Sequence, residues 1–357
     1  MIRAFKKTNI NAVRQSFSLR VIVFITPLLA ALAISLTPLE ANAADNFCTQ
    51  TANLVFQACG HSAEDDFLVA SAKCLNISNQ TERTSCNADA ASSRTDAKQL
   101  CQDQLTTRLS ACKKLGESRY DPAFEAKDFD TDFNNLPNPN QYFPIRPGDH
   151  WEFRSATEID TVDILNATKL IDGVRCVVAH DAVKVGGFVT ESTNDWYAQA
   201  KDGNVWYCGE ETAEFETFKG DNPVVPELVD ISGHFKAGVE GDKPGIIFLA
   251  SPKAGDVYLE EFSLANAEDV STILTTTYSF GKFPNLDHLV PRKLAELLCS
   301  NDCIVTKDQS LLEPGIFARK YYAPGIGVFL EVELDTGTVS QLVKCNVDSR
   351  CAMLPPR

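Results

Sequence analysis

The chain lacks the short motifs that mark familiar active sites. It has no nucleophile elbow, no Walker loop, no paired zinc-ligand motif and no dinucleotide fingerprint. No CxxC occurs, and the five histidines, at 61, 150, 180, 234 and 288, are scattered. No enzyme, cofactor or metal site is therefore expected. Basic charge is also scarce, at 33 Lys and Arg against 48 Asp and Glu. So acidic a surface repels phosphate backbones and anionic headgroups, which excludes nucleic acid as a partner. After residue 43 no run approaches the roughly 20 apolar residues that span a bilayer, so stable membrane insertion is not expected either.

What is present begins with Arg3, Lys6, Lys7, Arg14 and Arg20, then an apolar run from Val21 to Leu36 broken by Pro27, then Ala41-Asn42-Ala43. That order is a signal peptide over residues 1–43, cleaved near Ala43, and it predicts a soluble periplasmic or secreted protein. Its removal takes five of the 33 basic residues and one of the 48 acidic ones, leaving 28 against 47, a formal charge of −19. All twelve cysteines follow the cleavage site. In an oxidising compartment an even set of this kind is a disulfide framework.

The first six cysteines stand at 48, 59, 74, 86, 101 and 112, with spacings of 11, 15, 12, 15 and 11. Eleven residues at about 100° each make nearly three full helical turns, so Cys48 and Cys59 share one helix face and Cys101 and Cys112 another. Ala52 and Val55 extend the first stripe, and Leu105 and Leu109 the second. Equal steps run in opposite senses suit two antiparallel helices. The pairing predicted for residues 44–116 is nested: Cys48 with Cys112, Cys59 with Cys101, and Cys74 with Cys86 across the Asn76 to Asn79 turn. His61 reads as a helix-end residue.

Residues 117–141 are rich in Pro, Asn and Asp and read as a linker. Asp128, Asp130 and Asp132 alternate like the opening of a calcium loop, but Phe133 and Pro139 stand where the glycine and the closing glutamate belong, so a solvated acidic segment is expected. Asn76, Asn79 and Asn166 match the glycosylation pattern, by chance in a chain with a bacterial type of signal.

Residues 142–357 show β-branched and alternating segments between turn signals at Gly186-Gly187, Asp202-Gly203 and Asp335-Thr336-Gly337. The predicted fold class is α+β: a small disulfide-stapled helical module followed by an antiparallel β curved sheet or half-barrel. One helical insertion is expected over Pro291 to Cys299. His180, in phase with Val174, Cys176 and Val178, reads as a buried structural histidine. Glu210-Glu211 and Glu260-Glu261 are adjacent pairs whose members would point to opposite faces and form no dyad. Cys299 with Cys303 and Cys345 with Cys351 are predicted local disulfides. That leaves Cys176 and Cys208. Two-residue turns would place both opposite Tyr197 from either side, two strand spacings apart, and hence unbonded.

The same turn count distributes Trp196, Tyr197, Trp206 and Tyr207 over both sheet faces, and Tyr321 and Tyr322 likewise. These six are the candidate ligand-binding residues, with ordinary core packing as the competing role. Segments Tyr142 to Gly148, Asp195 to Gln199 with Asp202 to Tyr207, Lys243 to Ile247, Lys320 to Gly327 and Gly116 to Pro122 resemble a group of uncharacterised exported bacterial proteins. The Lys320 to Gly327 stretch is also similar to β half-barrel envelope proteins of the lipoprotein-carrier type. The resemblance implies a fold and no activity, and it does not extend to the insertion around Cys299 and Cys303. The expected function is an extracytoplasmic binding protein holding an apolar or lipid-like small molecule in its curved sheet. An envelope protein-interaction or structural component is the alternative.

Overall fold

The computed structural model describes residues 46–357, and the expected signal peptide over residues 1–43 lies outside them. Two antiparallel helices open the chain, α1 (Phe47–Leu75) and α2 (Gln80–Leu115). Asn79 caps α2, its side chain accepting from the backbone of Thr81 at 2.8 Å and Glu82 at 3.2 Å. The cap of α1 is supplied from beyond α2: the Glu117 carboxylate accepts from Thr49 N at 2.9 Å and Thr49 Oγ1 at 2.8 Å, and its carbonyl accepts from Phe47 N. A negative group there also complements the helix dipole. Few apolar residues are buried between the helices, Ala52, Val55, Ala63 and Ala90 among them. The nested disulfides compensate. Cys48–Cys112, Cys59–Cys101 and Cys74–Cys86 all form, with Cα separations of 5.6, 5.8 and 5.6 Å. His61 lies exposed inside α1, not at its end.

The rest is a single antiparallel sheet of fifteen strands. They are β1 (His150–Arg154), β2 (Glu158–Ile171), β3 (Val174–Val185), β4 (Phe188–Gln199), β5 (Val205–Glu216), β6 (Glu227–Asp230), β7 (Phe235–Lys236), β8 (Lys243–Phe248), β9 (Val257–Leu259), β10 (Glu261–Phe262), β11 (Asp269–Tyr278), β12 (Cys303–Ser310), β13 (Ala318–Ala323), β14 (Gly327–Glu333) and β15 (Val339–Cys345). Their order is β10-β8-β5-β4-β3-β2-β1-β15-β14-β13-β12-β11-β9, with β6 and β7 branching from β5. Because β9 and β10 sit at opposite ends of that list yet adjoin in sequence, Glu260 between them bridges the seam and nearly closes a barrel. The crossing is tight: a Cβ at Gly245 on β8 would lie 2.0 Å from the Glu260 carbonyl oxygen. The inserted helix α3 (Arg292–Leu298) buries Leu294, Ala295 and Leu298. The core runs through Trp151, Tyr197, Tyr207, Tyr278, Tyr321 and Phe329.

Residues 117–141 do not form a free linker. They lie on the sheet as a strap, because their aromatic residues have apolar seats: Phe129 and Phe133 are buried, Phe129 bridges to Ala200, and Tyr120 packs on Phe262. Buried Gln199 fixes the strap's end, accepting from Asn140 N at 2.9 Å and donating to Asn138 O at 2.8 Å.

Cys176 and Cys208 are disulfide-bonded, against the expectation from two-residue turns, with Cα atoms 6.8 Å apart. The register explains why. The β3–β4 turn is as expected, Val185 facing Phe188, but a bulge next to Val183 moves Tyr197 opposite Val177. The β4–β5 hairpin has three loop residues, Ala200 N donating to Asn204 O, so that Tyr197 faces Tyr207. Cys208 is then the extra residue of a second bulge, since Trp196 faces Gly209. Both thiols therefore flank small Ala198 on the outer face and reach each other across it. Cys299–Cys303 and Cys345–Cys351 form as expected, so no cysteine is free.

The last turns of α2 dock on the sheet. The Arg108 guanidinium donates to both Glu268 oxygens at 2.8 and 2.9 Å in a buried bidentate pair, and Gln104 Nε2 donates to Leu312 O. Ala111 packs with Leu259, Val270 and Leu311. Removing one partner of such a pair strands a buried charge. Arg108→Met should lower unfolding free energy by about 3–5 kcal/mol, and adding Glu268→Leu should restore most of it, as read by denaturant unfolding. At the seam, Gly245→Ala should cost about 2–4 kcal/mol, because the methyl has no room, whereas half-buried Gly60→Ala in α1, where a Cβ meets open space, should be neutral or stabilising.

Candidate functional site

The inner face of the sheet carries an unusual layer of carboxyls. Asp160 on β2, Asp181 on β3, Asp195 on β4, Glu210 on β5, Glu260, Glu261 on β10, Asp269 on β11 and Asp308 on β12 are all buried. Among the described residues one buried ammonium accompanies this layer, that of Lys320, 3.2 Å from Asp308 Oδ2. Strand alternation puts them there: Asp181 follows Val177 and Ala179 on the core face, and Asp195 follows Tyr197 in the same phase. The bulge at Cys208 sets Glu210 directly opposite Asp195, so the two carboxyls face one another across paired strands.

Tyr207 joins them. Its hydroxyl bonds Asp195 Oδ1 and, at 2.8 Å, Glu210 Oε2. One phenolic proton cannot serve two carboxylates, so the group holds a second proton. Burial, reinforced by the charge of Asp195, pushes the Glu210 carboxyl well above its ordinary range, and burial raises Asp195 as well, so the second proton is held between these two carboxyls. Asp181 is raised likewise by burial and by its hydrogen bond and charge contact with Asp160. Burial also raises Glu260 and Glu261, reinforced most by the charges of Asp308 and Asp269 respectively. Asp269 is pushed up to about 6 by burial, against a hydrogen bond from Ser310 and the charge of Lys320. Glu260 and Glu261 do not point to opposite faces as expected. The chain kinks between β9 and β10, and both side chains turn inward.

At the edge of this layer a cleft of ≈ 410 Å³ opens where β7 crosses β5. The crossing needs Gly209, which has φ +138° and no room for a Cβ beside Phe235 O at 2.3 Å. Trp196 and Phe235 form the apolar wall with Val239 and Leu264, and Glu210 lies at the closed end beneath Gly233. Glu210 Oε1 is buried without a hydrogen-bond partner. Lys169 Nζ sits 3.5 Å from the centroid of the Trp196 ring. Asn266 ties the arch above the cleft, donating to His234 O at 2.8 Å and accepting from Gly233 N at 3.3 Å. The volume falls within the range of about 300–1,000 Å³ usual for small-molecule sites.

The six aromatic candidates divide. Tyr197, Tyr207, Tyr321 and Tyr322 are core residues in ring-to-ring contact: Tyr197 stacks on Tyr207, Tyr278 meets Tyr321, and Phe248 meets Tyr322. Trp206 packs on Phe124 and Phe129 of the strap, on the outer face. Trp196 lines the cleft. An apolar gap beside Phe143, Val162 and Tyr197 measures only ≈ 10 Å³, too little for more than a single water. His180 is half-buried and bonded to Asn194, outside the core. Among the described residues no cluster of three metal-ligating groups occurs, Asp128, Asp130 and Asp132 included. No protein-family model, curated protein or solved structure matches the chain.

The raised carboxyls set the sign of a pH effect. A group whose folded pKa lies above its unfolded value binds more protons when folded, so its contribution is present at low pH and lost as pH rises from the ordinary carboxylate range through the folded value. For Asp269 that window runs from 3.8 to about 6, and Glu210 and Glu261, both raised well above their ordinary range, act in the same direction. The thermal midpoint should therefore fall between pH 5 and pH 8. Glu261→Gln should flatten the slope, as measured by calorimetry in matched ionic strength.

Proposed function

We propose that the protein is an extracytoplasmic binding protein that takes a small amphipathic molecule in the cleft between β5, β7 and the 263–266 turn. The observation that carries this reading is Glu210, a buried carboxyl with an unpartnered oxygen at the closed end of an aromatic-walled cleft. The ligand's apolar body rests on Trp196, Phe235 and Leu264, and its hydrogen-bond donor meets Glu210. Binding is favoured over turnover because the wall's serine and histidine are bonded to other groups and not to each other: Ser263 Oγ accepts from Asn266 and His234 Nδ1 donates to Ile231 O. Six disulfides fit an oxidising compartment, and among the described residues no helix is long and apolar enough to cross a membrane. The resemblance to exported bacterial half-barrel proteins fits the same reading.

A second reading, an envelope interaction component, draws on exposed apolar side chains around β6: Phe218, Val224, Val225, Leu228, Val229 and Ile231. One experiment separates the two. Native mass spectrometry of protein purified from its own compartment should show a small-molecule adduct, and Val239→Trp, which enlarges an exposed wall residue, should abolish it. A co-purified protein that survives Val239→Trp would select the second reading.

A further inference from the structure

We infer that the polar end of the ligand is an alkylammonium group, which seats against Glu210 and displaces the proton held there into solvent. This deepens the binding reading above and rests on it. Three observations point to a cation. The first is Glu210, 3 % exposed, whose buried Oε1 has no hydrogen-bond partner and can accept a donor and stabilise a positive charge. The second is the Trp196 ring, which already holds the ammonium of Lys169 at 3.5 Å and so shows that this wall accepts cations. The third is the charge around Glu210. Packed about it are Glu191 and Asp195 on β4, Tyr207 and Glu211 on β5, Glu261 on β10 and Asp269 on β11. Glu240 and Asp242 face it across the cleft. Lys169 from β2 and Lys236 and His234 of the β7 arch are the opposing groups. Even with Glu210 and its inner neighbours protonated, Glu211, Glu240 and Asp242 outnumber the two lysines. An anionic ligand would meet net repulsion.

The exchange balances without a further reactant. The ammonium keeps its three protons, the Glu210 and Asp195 carboxyls lose the one held between them to solvent, and an ammonium–carboxylate pair replaces the neutral acid. Tyr207 then donates to the new carboxylate or to Asp195. No covalent bond other than that O–H changes.

Isothermal titration of the intact protein with hexylammonium, with hexanol and hexanoate as neutral and anionic counterparts, tests the assignment. Hexylammonium should bind at least about tenfold more tightly than hexanol at pH 8, since a bond to a charged group is the stronger one. Its affinity should rise with pH, with net release of up to about one proton, counted by comparing buffers of different ionisation enthalpy. Glu210→Gln, which keeps the shape and neutrality of the protonated side chain, should lose the preference and the proton release while binding hexanol within about twofold. If that variant fails to fold by circular dichroism, the proton count on the unmodified protein decides alone. Hexanol binding as tightly as hexylammonium with no proton released would overturn the cation assignment and leave the cleft a binding site. No binding of any of the three probes would overturn both.

Discussion

One extra residue in β5 governs much of this architecture. At Cys208 the strand carries two residues where β4 has one, and every side chain beyond it changes phase. Cys208 is thrown to the outer face, within reach of Cys176, while Glu210 is brought inside, opposite Asp195. Gly209 becomes the point at which β7 can lie flush against the sheet. Without the bulge, simple alternation from Tyr207 would turn Glu210 outward, and neither the staple nor the closed end of the cleft would exist. The disulfide holds in place the strand distortion that positions the carboxyl.

The carboxyl layer opposes stability at neutral pH, because each acid must either be ionised in a poor solvent or hold a proton above its ordinary range. The protein manages this by pairing. Asp160 bonds Asp181, Tyr207 bonds Asp195 and Glu210, Ser271 bonds Asp308, and Lys320 balances the cluster at one end. The remainder of the barrel is conventional, with aromatic rings in edge and stacked contact below the acidic layer. Polar and apolar halves thus share one interior, and the cleft opens where the acids meet Phe235 and Trp196.

What could be read from the residues alone followed from fixed periods. Helical arithmetic between Cys48 and Cys112 needs only 100° per residue, and it yields the nested framework. Val174–Val185 lies between the turns at Gly173 and Gly186-Gly187, and Val339–Cys345 starts just after Gly337, so these limits are visible. Bulges have no period. A count from Gly186-Gly187 or Asp202-Gly203 drifts by one at each, which is why the Cys176 to Cys208 bond was hidden. Strand β12 carries Thr306, Lys307, Asp308 and Gln309, a polar string that reads as loop until the acids are known to face inward. The strap was concealed by its own prolines and asparagines, although Phe124, Phe129 and Phe133 were the signal that it packs. Asp181 and Asp195 could have been found by asking which acids fall in phase with the apolar stripe of their own strand.

The helical pair has a mechanical consequence. Its attachments to the sheet, Gln104, Arg108 and Ala111, fall in the last dozen residues of α2. From Gln80 to Gln104 the helix extends roughly 35 Å at about 1.5 Å per residue, beyond any of those contacts. Three covalent rungs and the Glu117 clasp at the base keep the two rods from sliding past one another. The module is in effect a rigid boom. It carries the Asn76–Asn79 tip well beyond its docking contacts, and a protease that nicks the tip leaves both halves joined, with the boom still standing.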